Sequence, residues 1–301
     1  MALHTIENEE LRVQVSDHGG ELCSIVKKAT GEEYLWNADK AFWNRHAPVL
    51  FPFVGGLKEK TYRYQGKSYI LGQHGFARDK EFELVSNNGT EIWHRLLPDK
   101  ETRAVYPFDF ELETGLRLFR NQVVVLWRVK NASKTEKMYF SIGGHPAFLC
   151  PIHGEKREEC EILLEGVSIV NTRMLEGGLA AKGLEQLELD RREIGGKKYG
   201  AVKLTEHLFD RNAYVIEGRQ TREVALAGAD GKIYLAVKFD APLFGLWAPK
   251  GAAPFVCIEP WYGRCDRVDF DGDLTEKEYI NVLEPGEVFC KNYHICISDV
   301  G

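Results

Sequence analysis

Apolar and polar residues alternate along much of this chain, a pattern that predicts β-strands. Several alternating segments are separated by the dipeptides Gln65-Gly66, Asn88-Gly89 and Asp230-Gly231. Such dipeptides suit the positive φ angles of tight hairpin turns. We therefore predict three hairpins, which join residues 62–64 with 67–70, 81–85 with 91–96, and 223–226 with 233–237.

Longer segments extend the strand pattern, and helical periodicity is scarce. Residues 111–119 and 123–129 predict a further antiparallel pair, and residues 160–170 and 288–297 have the same character. This density of strands predicts an all-β fold, a large antiparallel β-sandwich, formed as a single domain over residues 1–301.

Four segments do not fit the regular strand pattern. Residues 203–209 predict one short helix, and residues 274–279 predict a helical turn. Two charged, glycine-rich stretches, residues 150–159 and 177–200, are predicted to be loops.

The charge balance excludes several classes of protein. The 301 residues include 39 basic and 45 acidic side chains, a net charge of −6, which argues against a nucleic-acid partner. The longest strictly apolar run, Val123 to Trp127, is too short to span a membrane. The acidic N-terminus has no signal-peptide pattern, so we expect a cytoplasmic protein. The seven cysteines include no C-x-x-C pair, and we expect them to be reduced and structural.

Four segments combine glycine, proline and aromatic residues with histidine, arginine or glutamate. They are residues 43–58, 73–79, 141–148 and 244–263. Glycine permits close approach of a ligand, proline fixes the local path, and aromatic rings form flat apolar walls. The combination is typical of a concave pocket with a few polar groups directed into it.

Some chemistries are disfavoured by missing motifs. His74, His145 and Glu259 could in principle form a His₂Glu metal set, but no two of them have the short spacing of H-E-x-x-H. We therefore expect no metal. The chain also has no G-x-S-x-G nucleophile motif and no phosphate-binding P-loop.

Five motifs in order resemble the aldose 1-epimerase (galactose mutarotase-like) family, and in particular its LacX-like branch. They are Gly19-Gly20-Glu21-Leu22, Ala47–Pro52, His74–Arg78, Gly144–Phe148 and Ile258–Trp261. The resemblance covers nearly the whole chain. It implies a β-supersandwich fold and an enzyme that interconverts the α and β anomers of an aldose, with a small-molecule sugar as partner and no cofactor.

The resemblance also implies roles for four residues. Glu259 matches the family's catalytic base and His145 its general acid. His74 matches a second pocket histidine that holds the substrate, and Arg78 is similar to a pocket residue. From reference pKa values we expect an ionised glutamate and a histidine whose protonated form is favoured by a nearby carboxylate.

Two positions differ from the family pattern or are ambiguous. Gly56 stands in the turn where relatives often carry an arginine. The carboxylate that contacts the sugar in many relatives falls near residues 210–212, and either Asp210 or Asn212 could take its place.

Other functions remain open from the sequence. A phosphate could be held by Lys58, Arg45 or Arg78, so a hexose-6-phosphate mutarotase is one alternative. A non-catalytic sugar-binding or regulatory protein on the same fold is another, because function depends on sites and not on folds. A glycosidase is disfavoured, because that chemistry generally needs two carboxylates and only Glu259 lies in a pocket-like segment.

Overall fold

The computed structural model describes residues 2–298, and within them the chain forms 27 strands and one α-helix. The first thirteen strands are β1 (Leu3–Glu7), β2 (Leu11–Ser16), β3 (Glu21–Lys27), β4 (Val49–Leu50), β5 (Thr61–Tyr64), β6 (Lys67–Ile70), β7 (Glu83–Asn87), β8 (Glu91–Leu96), β9 (Phe110–Phe119), β10 (Gln122–Asn131), β11 (Met138–Phe140), β12 (Ile142–Gly144) and β13 (Ala147–Leu149). The helix α1 (Lys100–Val105) lies between β8 and β9.

The second half of the chain is also made of strands. They are β14 (Glu161–Glu165), β15 (Ile169–Arg173), β16 (Leu175–Glu176), β17 (Leu179–Ala180), β18 (Glu185–Glu188), β19 (Asp190–Ile194), β20 (Lys197–Lys203), β21 (Tyr214–Glu217), β22 (Glu223–Ala227), β23 (Ile233–Phe239), β24 (Leu243–Trp247), β25 (Phe255–Tyr262), β26 (Asn281–Leu283) and β27 (Val288–Ile297). Short 3₁₀ turns occur at Lys58–Lys60, Ala77–Asp79, Arg157–Glu159 and Leu274–Glu276.

Two large antiparallel sheets form the body of the protein. The first has ten strands in the order β19-β20-β14-β22-β23-β27-β10-β9-β8-β7. The second has the order β18-β15-β21-β24-β25-β12-β4, and β13 also pairs with β25. A separate three-stranded sheet, β1-β2-β3, is formed by the N-terminal segment. The prediction of an all-β antiparallel sandwich is confirmed.

The two large sheets are held face to face by apolar side chains. Trp127 of β10 contacts Tyr262 of β25 at 6.3 Å between ring centroids, and Phe239 of β23 contacts Phe244 of β24 at 5.1 Å. All four side chains are buried in one core cluster shared by both sheets. Side chains on the other face of the second sheet lie outside this core cluster and form smaller clusters of their own.

The hairpin predictions are confirmed, with strand ends that differ by a few residues. The turn Gln65-Gly66 has φ of 49° and 74°, as a tight turn requires. The strand predicted over 160–170 is wrong in one respect, because Gly166, with φ of 77°, separates it into β14 and β15.

Two other predictions are wrong. Residues 203–209 form no helix: β20 ends at Lys203 and turns follow. Residues 177–200 are not only loop, since they include β17, β18 and β19. Their charged residues suit edge strands, where polar side chains face solvent. The helix α1 was not predicted, and it begins at a capping box in which Asp99 accepts from the backbone N–H of Thr102 at 2.7 Å.

No helix within residues 2–298 is long and apolar enough to cross a membrane.

Candidate active site

The central strand β25 separates core residues from site residues by simple alternation. Val256 and Ile258 are buried in the core between the two large sheets. Cys257, Glu259 and Trp261 point to the opposite face, because side chains alternate along a strand. On that face Glu259 and Trp261 line a cleft of about 410 Å³. The strand thus places a carboxyl group at the base of a cleft, where it is only 1% exposed.

Two glycines beside β25 make room for Trp261. A Cβ atom at Gly143 of β12 would lie 2.5 Å from the ring of Trp261, and one at Gly245 of β24 would lie 2.6 Å from it. Both positions are paired with β25, at Trp261 and Glu259 respectively. The absence of side chains at these glycines therefore allows the indole to form part of the cleft.

The structure brings both predicted histidines to Glu259. His145 directly follows β12, and its Nε2 lies 3.3 Å from Oε2 of Glu259. The rings of His74 and His145 are 5.5 Å apart at an angle of 79°. These residues are distant in the sequence, and all three line the same cleft.

A strained turn holds His74 in place. His74 has φ of 68°, and its backbone N–H donates to the carbonyl oxygen of Gly55 at 2.9 Å. The N–H of Gly55 donates to Nδ1 of His74 at 3.1 Å. Because Nδ1 accepts this bond, the neutral ring carries its proton on Nε2.

Indole rings form two walls of the cleft. Trp43 stacks on His145 at 4.8 Å, and Trp247 contacts the same imidazole edge-on at 5.6 Å. The loop that carries Trp43 is anchored by Glu21, whose carboxylate accepts from the backbone N–H groups of residues 46 and 47, both at 2.8 Å. The Gly19–Glu21 motif thus supports a cleft wall without itself lining the cleft.

Burial controls the protonation of the three central groups. It raises the pKa of Glu259 well above 4.5, although the nearby indole N–H of Trp261 acts in the opposite direction. Burial lowers the pKa of His145 to about 3 and that of His74 well below 6.5. Nearby arginines also lower both histidine values. Burial therefore opposes both the ionised glutamate and the protonated histidine that the reference pKa values led us to expect, because desolvation penalises the charged form of each group.

Arg78 is the cationic group that lines the cleft. Its Nη2 donates to the backbone oxygen of Gln73 at 2.9 Å, while its buried Nε has no hydrogen-bond partner in the described chain. Arg45 pairs with Asp79 at 2.7 Å and does not line the cleft. Lys58 also lies outside the lining, with its ammonium group bonded to a backbone carbonyl at 3.0 Å. Of the three cations considered from the sequence, Arg78 is thus the one placed to meet a ligand.

The structure places Asp210 and Asn212 differently. Asn212, with φ of 85°, lines the cleft, whereas Oδ2 of Asp210 accepts a hydrogen bond from Nδ1 of the exposed His207 ring at 2.9 Å. At Gly56, an added Cβ would lie 3.1 Å from the carbonyl oxygen of Gly178. Gly178 itself lines the cleft, so the hairpin of β16 and β17 occupies the space beside Gly56.

Comparisons with known proteins agree with this geometry. The family model described as Aldose 1-epimerase matches residues 2–295. The chromosomal Protein LacX of Lactococcus lactis subsp. lactis is 32% identical over 299 residues, which is 97% of this chain and 98% of that protein. This chain belongs to the aldose 1-epimerase family.

Solved structures from the same family share the fold of this member. A galactose mutarotase related enzyme from Lactobacillus acidophilus is 36% identical, with a TM-score of 0.91 over 99% of this chain and 98% of that one. A galactose mutarotase-like protein from Lactobacillus casei ATCC 334 is 27% identical, with a TM-score of 0.86 over 99% of this chain and 100% of that one.

The structure does not bring together the donor atoms of His74, His145 and Glu259, the metal set considered from the sequence. Within residues 2–298, His145 and Glu259 of the cleft are grouped with the buried Cys257 behind it, with all three donor atoms within 4.8 Å of one another and without His74. Burial raises the pKa of Cys257 well above 9.0, which keeps the thiol protonated. Burial thus favours the thiol, whereas a bound metal ion would need the thiolate.

Sequence reasoning gave no role to two lining residues of this aldose 1-epimerase family member, Gln73 and Trp43. Both stand in segments marked by their glycine, proline and aromatic content, and this was a usable signal. Asn212 was one of two alternatives considered from the sequence, and the pairing of β21 with β24 brings its neighbourhood to the cleft.

Proposed function

We propose that this protein is an aldose 1-epimerase that interconverts the α and β anomers of a hexose. The observation that carries the proposal is the buried pair of Glu259 and His145, 3.3 Å apart at the base of a cleft of about 410 Å³. This volume falls in the range of small-molecule sites. The indole walls of Trp43 and Trp247 suit the apolar faces of a sugar ring.

Anomer exchange requires one base and one acid. The base removes the proton of the C1 hydroxyl group while the acid protonates the ring oxygen, so that the bond between C1 and the ring oxygen breaks. Rotation about the C1–C2 bond and closure on the other face give the second anomer. We assign the base to Glu259 and the acid to His145, and the two exchange roles as the ring closes.

The pair needs only one proton for this work. With the proton on Glu259, both groups are uncharged, which is the form that burial favours. With the proton on His145 instead, the pair is a carboxylate and an imidazolium whose facing atoms lie 3.3 Å apart, and the net charge is the same. A raised pKa makes the carboxylate a stronger base, and a lowered pKa makes the imidazolium a stronger acid. Burial therefore makes the charged form of the pair, the carboxylate and the imidazolium, more reactive in proton transfer.

The remaining polar groups position the sugar. Nε2 of His74 lies 3.2 Å from the side-chain amide of Gln73, and the two groups form one polar patch on the cleft wall with the amide of Asn212. The remaining donors and acceptors of this patch can meet sugar hydroxyl groups. We assign these residues to substrate binding.

Polarimetry of freshly dissolved α-D-glucose and α-D-galactose tests the proposal. We expect the protein to bring the rotation to equilibrium faster than the spontaneous reaction, and the Glu259→Gln variant to lose this acceleration. Glu188→Gln, which changes an exposed glutamate of β18, serves as the matched control. Sugar binding detected by calorimetry without faster exchange would instead support a binding or regulatory protein.

One observation favours a second candidate, a hexose-6-phosphate mutarotase. The half-buried guanidinium of Arg78 lines the cleft, and its Nε makes no hydrogen bond among the described residues, although it lies 3.8 Å from Oδ2 of Asp79. A guanidinium with a free N–H group binds phosphate well. A hydrogen bond to a charged group is worth about 1.5–3 kcal/mol. We therefore expect Arg78→Gln to lower kcat/KM by about 10- to 100-fold for glucose 6-phosphate only if the phosphate is bound there. Equal effects on glucose and its phosphate would reject this candidate.

A further inference from the structure

A second cluster of donor atoms lies away from the cleft, where the N-terminal sheet meets the ten-stranded sheet. His4 of β1 and Asp17, which directly follows β2, come together with His94 of β8. Nε2 of His4 is 2.8 Å from Oδ1 of Asp17, and Nε2 of His94 is 3.2 Å from the same oxygen. The three donor atoms lie within 4.8 Å of one another.

The buried imidazole of His94 is a second observation that points to a ligand at this cluster. Its side chain is only 1% exposed, and its Nε2 has no hydrogen-bond partner among the described residues, even though it faces the carboxylate. A buried polar nitrogen without a partner is costly, and native structures rarely leave one. A cation beside Nε2 would satisfy it. His4 and Asp17 are each 21% exposed, which leaves a path from solvent.

The donor set selects a class of metal. Two imidazole nitrogens and one carboxylate oxygen suit zinc and similar divalent transition metals, whereas calcium and magnesium prefer oxygen ligands alone. Ligands about 2.0–2.1 Å from a tetrahedral zinc ion are about 3.3 Å apart. The distances of 2.8 and 3.2 Å therefore require only small movements to admit the ion.

We propose that His4, Asp17 and His94 form a binding site for a divalent transition metal, best matched to zinc, with water as the fourth ligand. The ion joins the N-terminal sheet to β8. Its effect extends along the chain, because Asp17 leads into the turn that ends at Glu21, and Glu21 anchors the loop of Trp43. The site is structural, and it stabilises the support of one cleft wall.

Calorimetric titration with zinc chloride at about pH 7.5 tests the site. We expect one zinc ion per chain and a Tm raised by a few degrees when zinc exceeds its Kd about 100-fold. His4→Ala, on the outer part of the cluster, and Asp17→Asn should each weaken binding by about 100-fold or more. His18→Gln is the matched control: it removes a neighbouring histidine that bonds instead to Glu81 at 2.7 Å, and it should bind like the wild type.

Cobalt substitution separates this site from the cluster that contains Cys257. Cobalt bound by His4, Asp17 and His94 should give tetrahedral d–d bands without a thiolate charge-transfer band. The d–d bands should disappear in His4→Ala while circular dichroism shows an intact fold. Three results would overturn the proposal: no saturable zinc binding, equal zinc affinity in the wild type and His4→Ala, or a thiolate band that His4→Ala leaves unchanged.

Discussion

Replacing Glu259 by glutamine tests both the chemistry and the electrostatics of the buried pair. Glutamine has nearly the same size, but it neither accepts a proton as a base nor ionises. Proton transfer by a positioned group contributes about 10²–10⁴ in rate. We therefore expect kcat for anomer exchange to fall by about that factor, with KM little changed because the cleft walls remain in place.

The same substitution changes how the free energy of unfolding depends on pH. Burial raises the pKa of Glu259 well above 4.5, so the folded protein keeps a proton that the unfolded chain releases above pH 4.5. This stabilisation is complete below pH 4.5 and is lost as the pH rises towards the folded pKa. Relative to Glu259→Gln, the wild type should therefore lose about 1.4 kcal/mol per pH unit over that range.

His145 contributes the opposite slope. Its pKa is about 3 in the folded protein and 6.5 as the ordinary value, so the unfolded chain binds the extra proton between these values, and stability rises with pH there. Burial lowers the pKa of His74 as well, so its slope has the same sign as that of His145, and the slope of Glu259 opposes both. In Glu259→Gln only the histidine slopes remain, so the free energy of unfolding of this variant should rise more steeply with pH up to about 6.5 than that of the wild type.

Guanidinium unfolding followed by tryptophan fluorescence at a series of pH values measures these curves. Glu188→Gln, an exposed carboxyl change, should differ from the wild type by a constant amount. A constant difference between the wild type and Glu259→Gln would refute the buried, protonated glutamate. A kcat within about threefold of the wild type would refute its role as the base.

Three further predictions test the acid, the cleft packing and the helix start. His145→Gln should lower kcat about 10²- to 10⁴-fold, whereas His207→Gln, which changes a surface ring, should not, and equal rates would reject the assignment. Gly245→Ala should cost about 1–3 kcal/mol in denaturant unfolding and lower kcat/KM, because its Cβ would lie 2.6 Å from the cleft indole, whereas Gly72→Ala meets open space and should do neither. Asp99→Ala should cost about 1 kcal/mol by removing the helix cap, and an unchanged unfolding midpoint would contradict this.

Local patterns in the sequence were sufficient for much of the fold. Turn dipeptides with positive φ and alternating strands identified the hairpins, since both signals depend only on neighbouring residues. The strand predictions failed where the alternation of apolar and polar residues is absent, because the strand lies at the edge of a sheet. The charged residues of 177–200 were assigned to loops, although edge strands such as β18 and β19 also carry charged side chains. That residues 1–301 form a single domain stays a prediction.

The sequence alone determined the fold class and the family. It also named four candidate site residues, Glu259, His145, His74 and Arg78, whose roles stay a prediction. Only the tertiary structure decided their environment. It brought His145 within 3.3 Å of Glu259 and removed both from water, which raises the pKa of the glutamate and lowers that of the histidine. It also placed Asn212 rather than Asp210 on the cleft. Residue types and their order are local information, but desolvation depends on all the strands packed around a group, and that packing exists only in the folded chain.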